Sequence, residues 1–305
     1  MRDILRITIG LTVSCLIAAL IMGSVFTVTD KAKKHNEHMD IQNTMLALLG
    51  YSGSHAAPPD LKLLPVYRYI VDQKGTQYLG YMVPVEVSGK SAYKFLLMDL
   101  AGKFKDSFDL SINPGDVNEI SVRQTALERV LEPPSTFVYA DSFIVAMRGK
   151  KSLAYLIPGE FPGYKTFIRV MLALDPSYTI KGLDILEQEE DPGLGGEIVE
   201  NYFKHQFIGK PFNKIKGLKV IKKPLPKKYR QYLEGTKGKR GMFTRQQIEQ
   251  IRKKYEDADI YALTGATITS RDFTRGIKSM VKKFAYRTKR LDKVITGHNI
   301  PVPFS

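Results

Sequence analysis

The chain has 305 residues, is 43% hydrophobic and 25% charged, and carries a formal net charge of +15. That describes a folded protein of one large or two small domains, long enough to bury a core. The single cysteine, Cys15, excludes an intrachain disulfide, a thiolate-held iron–sulfur cluster and a four-cysteine zinc site. The 5 histidines fall into no HExxH or HxH pattern, so no protein-bound metal is expected. The positive charge would suit nucleic acid, an anionic membrane surface or acidic partners, and does not choose among them.

The run Ile7–Val28 contains no charged residue. As a helix it would be about 33 Å long, enough to cross a bilayer. A cleaved signal peptide is the alternative, but the core is long and no small-residue cleavage site follows it. A lipid-attachment role for Cys15 is disfavoured because the apolar run continues well past it. Arg2 and Arg6 precede the span, and Lys31, Lys33 and Lys34 follow it. The positive-inside count is therefore nearly balanced and leans slightly against an external domain.

After this anchor, taken as residues 1–30, residues 31–60 read as a helical stalk ending at Gly50 and a loop rich in Gly, Ser, Ala and Pro. Strand-like runs follow at Val66–Val71, Tyr78–Val87 and Tyr93–Met98, then again at Val138–Met147, Leu153–Ile157 and Tyr164–Leu174. GYMVPVEVSGKSAYKFLLMDL and AYLIPGEFPGYKTFIRVMLALD share an aromatic strand, a proline, a glycine turn and a second apolar strand. Residues 61–150 are thus a strand-rich subregion with a candidate repeated hairpin, although two unrelated hairpins would give the same pattern. Between the units, Asn118–Leu131 predicts a helix stopped by Pro133 and Pro134. Gly182–Leu186 predicts a further strand and Val199–Phe207 a helix. The lysine-crowded stretch Lys214–Arg240, with KKPLPKKYR at its centre, reads as a solvated loop or as a phosphate-binding or docking surface.

Near the C-terminus stands YALTGATITSRDF. A helix over Gln246–Tyr255 precedes it. Phe273, Ile277, Met280, Val281 and Phe284 recur behind it at helical spacing. Thr269 is expected to cap that second helix, with Asp272 completing a capping box. The segment Thr264–Gly265–Ala266–Thr267 then enters a helix N-terminus, where freed amides and the helix dipole favour an anion. A phosphate site there and a plain helix cap both remain open. A second glycine-rich piece, Asp191-Pro192-Gly193-Leu194-Gly195-Gly196, sets Leu194 out on a loop, to be covered either by a flat ring ligand or by the domain itself. It is neither a dinucleotide fingerprint nor a P-loop.

Together these pieces resemble the membrane-anchored FMN-binding subunits of ion-pumping redox complexes. These are the G subunit of the Rnf ferredoxin:NAD oxidoreductase and the C subunit of the sodium-translocating NADH:quinone reductase. The family motif [ST]GAT falls on Thr264–Thr267, with Thr269 and Ser270 completing TGATxTS. Glu190, Pro192, Gly193, Leu194 and Gly195 match an ETPGLG-like loop, with Asp191 where threonine is common and Gln188 where histidine is common. Phe203, Gln206, Phe207, Gly209 and Lys210 match a further pattern. Tyr261 stands where the family often has aspartate.

The resemblance implies an α+β fold, in which a single N-terminal transmembrane helix precedes a mixed β-sheet FMN-binding domain with flanking helices. That domain would occupy 151–290, with a tail at 291–305. It implies one covalent FMN per chain, a phosphoester on Thr267. Thr264 and the amides near Thr267 would hold the phosphate, Lys210 would offset its charge, and Leu194 with the backbone of Gly193–Gly195 would pack the ring; Gly265, Ala266, Thr269, Glu190 and Pro192 complete the cofactor-binding set. No side chain is assigned acid–base catalysis. The implied role is an electron relay in an Rnf-type complex, with the quinone reductase as the alternative; the isolated chain need not be an enzyme. Implied partners are integral membrane subunits including a polytopic flavoprotein, a flavin transferase during maturation, and membrane lipid, with no nucleic acid. The implied location is the inner membrane, single-pass, flavin domain outside the cytoplasm. A stand-alone tethered flavoprotein and a non-redox membrane-anchored binding or assembly protein are the competing readings.

Overall fold

The structure is a computed structural model that describes residues 2–52, 55–235 and 243–304. The chain divides into two units, Met1–Ala47 and Leu48–Ser305.

The first unit is nearly all of helix α1 (Arg2–Leu48). Its segment Arg6–Phe26 is long and apolar enough to cross a membrane. Leu16, Leu20 and Phe26 are well exposed. The hydroxyls of Thr8, Thr12, Ser14 and Ser24 each donate to the carbonyl four residues back, at 2.7–2.9 Å. Bonded in that way, they add little cost to burial in hydrocarbon.

The second unit is built on one eight-stranded antiparallel sheet. Its strands are β1 (Leu61–Gln73), β2 (Thr76–Val87), β3 (Lys90–Asp99), β4 (Phe104–Leu110), β5 (Thr136–Arg148), β6 (Lys151–Pro162), β7 (Phe167–Leu174) and β8 (Ile180–Glu187). The spatial order is β4-β3-β2-β1-β5-β6-β7-β8. Two four-stranded meanders therefore run outward from a central β1–β5 pair, and hydrogen bonding is continuous across residue 150. Strand β4 carries no strong alternation in sequence and was not foreseen. It is an edge strand, largely uncovered on one face.

Each face of the sheet has its own core. On one side Tyr69, Phe95 and Leu97 meet Leu127 and Ala126 of α2 (Ile120–Val130). On the other, Val145, Leu156, Ile168 and Leu172 meet Phe273, Ile277 and Val281 of the long helix α7 (Thr267–Gly297). The near-full burial of these side chains follows the period-2 pattern of strands facing the 3.6 period of a helix.

Four short helices complete the second half: α3 (Asn201–Lys204), α4 (Phe212–Gly217), α5 (Lys227–Glu234) and α6 (Arg245–Tyr255). A parallel pair, β9 (Val220–Ile221) and β10 (Ile260–Tyr261), leads the chain into α7. The expected helix over Val199–Phe207 is broken into α3 and flanking 3-10 turns. KKPLPKKYR is not wholly loop: Pro226 precedes α5, whose Tyr229 and Leu233 are buried one turn apart. Residues 236–240 of the basic stretch lie outside the described residues.

Candidate functional site

The turn from β6 to β7 is closed by the Gly163 N–H donating to the Thr166 carbonyl at 2.7 Å. Inside it, the amides of Tyr164 and Lys165 donate to one oxygen of Glu190, at 2.7 and 3.1 Å. The other oxygen of Glu190 accepts the Thr269 hydroxyl at 2.6 Å. Glu190 is only 4% exposed, so its charge is compensated by these three donors rather than by water. A Cβ on Gly163 would lie 2.5 Å from one carboxylate oxygen, and a Cβ on Gly195 2.6 Å from the other. Both glycines are therefore the space that admits the carboxylate. One buried group thus ties the β6–β7 turn, the DPGLG loop and the first turn of α7 together.

The DPGLG loop turns on the Asp191 carbonyl, which accepts from the amides of Leu194 (3.1 Å) and Gly196 (2.9 Å). Gly193 has φ +74°, a left-handed conformation that favours glycine, with nothing near its missing side chain. Leu194 is 45% exposed. Its Cδ2 would be 2.8 Å from a Cβ on Gly265, which itself has φ +77°. Leu194 therefore rests on the TGAT turn, and the two glycine-rich pieces singled out in the sequence touch.

Gln206 aligns the approach to that turn. Its side-chain oxygen accepts the Tyr261 N–H at 2.8 Å and its amide nitrogen donates to the Tyr261 carbonyl at 3.2 Å. Ser270 then closes the turn: its Oγ accepts the Leu263 N–H at 2.9 Å and donates to the Ala266 carbonyl at 2.8 Å. Helix α7 begins at Thr267, after Ala266, which offers no capping side chain. The four hydroxyls of the segment thus divide. Thr269 and Ser270 are committed internally, whereas Thr264 and Thr267 make no side-chain hydrogen bond among the described residues. The first amides of α7 have no acceptor within the helix and point past its end.

Two sequence expectations change. Thr269 is not the cap of α7 and Asp272 is not its box partner: Thr269 lies inside the first turn with its hydroxyl on Glu190, and Asp272 pairs with Arg275. The Lys210 side chain is buried. Its ammonium donates to the carbonyls of Ala258 (2.6 Å) and Glu256 (3.4 Å), holding the segment that precedes β10. Burial, with a smaller push from Lys214, lowers its pKa to about 8. The roles of Gln206, Ser270 and the Tyr164–Lys165 amides were not foreseen. Only the buried polarity of Gln206 and Ser270 could have hinted at them.

The site suits an anionic phosphate bearing a planar ring. The uncapped N-terminus of α7 and the two unused hydroxyls can bind phosphate oxygens. The half-exposed Leu194 on Gly265, with Ile268 54% exposed in the same first turn, offers apolar surface for a ring.

Comparison with known proteins bears on this site directly. Residues 163–282 match the family described as an FMN-binding domain. The chain is 29% identical over 138 residues to the G subunit of the proton-translocating ferredoxin:NAD(+) oxidoreductase complex of Clostridium ljungdahlii, covering 45% of this chain and 57% of that protein. It is 21% identical over 242 residues to the C subunit of the Na(+)-translocating NADH-quinone reductase of Vibrio campbellii, covering 78% of this chain and 85% of that protein. Among solved structures, Shewanella oneidensis NqrC superposes with a TM-score of 0.43 at 15% identity, covering 80% of this chain and 91% of that one.

Proposed function

We propose that this protein is the FMN-carrying electron-transfer subunit of an ion-translocating membrane oxidoreductase of the Rnf type, with FMN joined to Thr267 through its phosphate. The observation that carries the attachment point is the division of hydroxyls. In a segment matching an FMN-binding domain, Thr267 stands unbonded at the uncapped start of α7. In the joining step Thr267 Oγ exchanges its proton for a bond to phosphorus. FAD would be the donor and AMP the leaving group, with a separate magnesium-dependent flavin transferase catalysing the transfer.

When bound, FMN supplies one- and two-electron redox chemistry, and the protein positions and tunes it. The chain's own residues do the positioning. Thr264 and the first amides of α7 hold phosphate oxygens. Ser270 and Gln206 fix the turn that presents Thr267. Glu190 locks the DPGLG loop against that turn, so that Leu194 lies over it as the ring's apolar support, with Pro192 and Gly193 shaping the loop. Helix α1 anchors the chain in the inner membrane beside its partner subunits, with the flavin domain outside the cytoplasm.

The quinone reductase reading is favoured by one specific observation: that similarity extends over 242 residues, well beyond the FMN-binding segment. Both readings place the same cofactor on the same threonine. On a denaturing gel of membranes from a host that makes the transferase, they predict a fluorescent flavin band at 34.4 kDa. A colourless band at that mass would sink both, and leave the non-redox tethered protein as the reading.

A further inference from the structure

Each meander opens a gap between its first two strands, and the chain's own residues enter the first of them. Strands β1 and β2 are bonded from the turn at Gln73–Thr76 as far as Tyr67–Met82 and part past that pair, so that Val83–Val87 pair only with β3. Strands β5 and β6 behave identically. They pair from Ile144–Leu156 to the turn at Arg148–Lys151, and beyond that Thr136–Phe143 pair only with β1 and Ile157–Pro162 only with β7. The topology thus places Pro84 and Glu86 of the first gap where Pro158 and Glu160 stand in the second.

The chain's own residues after α7 enter the first gap. The Glu86 N–H donates to the Pro301 carbonyl at 2.8 Å, and Ile300 and Val302 are buried. What remains of that gap is a cavity of about 140 Å³ that Pro303 helps to line. In the second gap the cavity is about 520 Å³, floored by Met280, Phe284 and Arg287 of α7. Bond direction alternates along an antiparallel ladder. Because the Gly163 N–H faces Thr166, the Glu160 N–H points away from β7 and into the gap, as the Glu86 N–H does in the other. No described residue accepts it.

We infer that the gap between β5 and β6 is a docking groove for an extended segment of a partner polypeptide, bonded along its main chain to Glu160 and carrying a carboxylate. The filled first gap shows what this geometry takes: a segment that offers one main-chain carbonyl, at Pro301, to the Glu86 N–H and buries the apolar side chains on either side of it, Ile300 and Val302. The open edge also needs a cover. Val138 is 68% exposed and Tyr139 51% exposed on the unpaired half of β5, an apolar edge that soluble sheets ordinarily blunt. The carboxylate follows from charge. Arg68 and Arg287 share the single carboxylate of Asp141, at 2.6–2.8 Å. Lys283 has no ion-pair partner among the described residues, leaving the groove with more cations than Asp141 and Glu160 neutralise.

Hydrogen exchange on the full chain, purified alone and within its native membrane assembly, tests this. In the isolated chain the Glu86 amide is expected to be protected while the amides of 157–162 exchange freely. In the assembly those amides should slow by at least about tenfold, and Lys283→Glu, a change at an exposed, unpaired position, should remove much of that slowing. A photo-crosslinking residue in place of Tyr139 should, in the same membranes, attach to an acidic extended peptide of another subunit. Equal exchange in both states overturns the inference, as does protection already complete in the isolated chain. Crosslinks confined to lipid or to a second copy of this chain overturn it as well.

Discussion

The Thr269 hydroxyl donates to the Glu190 carboxylate at 2.6 Å, joining residues 79 apart in the chain. That bond, with the two amides on the other carboxylate oxygen, makes Glu190 the point where three segments of the candidate site are held. Replacing it with alanine leaves two part-buried N–H groups and one buried hydroxyl without an acceptor. Glu190→Ala is expected to cost about 1–3 kcal/mol, read as a fall in the urea midpoint. Glu190→Gln, which keeps an acceptor for the amides, should lose clearly less; equal losses would contradict the account.

Gly195 tests the same clamp by volume. A Cβ there would lie 2.6 Å from a Glu190 oxygen and 2.8 Å from the Thr269 hydroxyl. Gly195→Ala should therefore destabilise by about 1–3 kcal/mol. In combination with Glu190→Ala the two effects should be less than additive, because the second change removes the atoms that the first strikes. Strict additivity would mean that the two residues do not meet.

Lys210 gives a pH test. Its folded-state pKa of about 8 lies below its usual 10.5. Below pH 8 both folded and unfolded chains carry the proton, and the full penalty of a buried charge is present. Between pH 8 and 10.5 the unfolded chain holds the proton more often than the folded one, so this group's contribution to stability rises with pH. Lys210→Met should remove that rise. Unfolding midpoints of both proteins at about pH 7.5 and 9.5, one below the folded pKa and one between the two, would show it as a difference that shrinks or changes sign in the variant. Parallel shifts would count against it.

Leu194 rests on Gly265 and is otherwise half open to solvent. If it supports the flavin ring, Leu194→Ala should leave attachment at Thr267 intact while moving the absorption and fluorescence of the flavin toward those of free FMN in water. An unchanged spectrum would place the ring elsewhere.

Much of this arrangement was legible in the sequence, and the exceptions share a cause. The helix behind TGAT, the apolar anchor and the central strands announce themselves through local periodicity. The DPGLG loop and the TGAT turn were each visible as glycine-rich pieces, yet nothing local says that Leu194 lies on Gly265. Thr269 was misassigned as a cap because a hydroxyl near a helix start ordinarily bonds the helix's own amides. Here a buried carboxylate brought in after β8 captures it instead. Nothing local to Lys210 shows that its ammonium bonds the carbonyls of Ala258 and Glu256, more than forty residues on. Strand β4 escaped notice because an edge strand needs little apolar alternation. In each case a contact between distant segments overrode the local signal.

The attachment itself is the centre of the account, and intact-peptide mass spectrometry addresses it most directly. Protein made in a host with the flavin transferase should yield a peptide containing Thr267 heavier by FMN minus water. The gain should be absent in Thr267→Ala, and fragmentation of the native peptide should map it to Thr267 rather than Thr264. A bare Thr267 in the native protein, or a flavin adduct that survives Thr267→Ala, would contradict it.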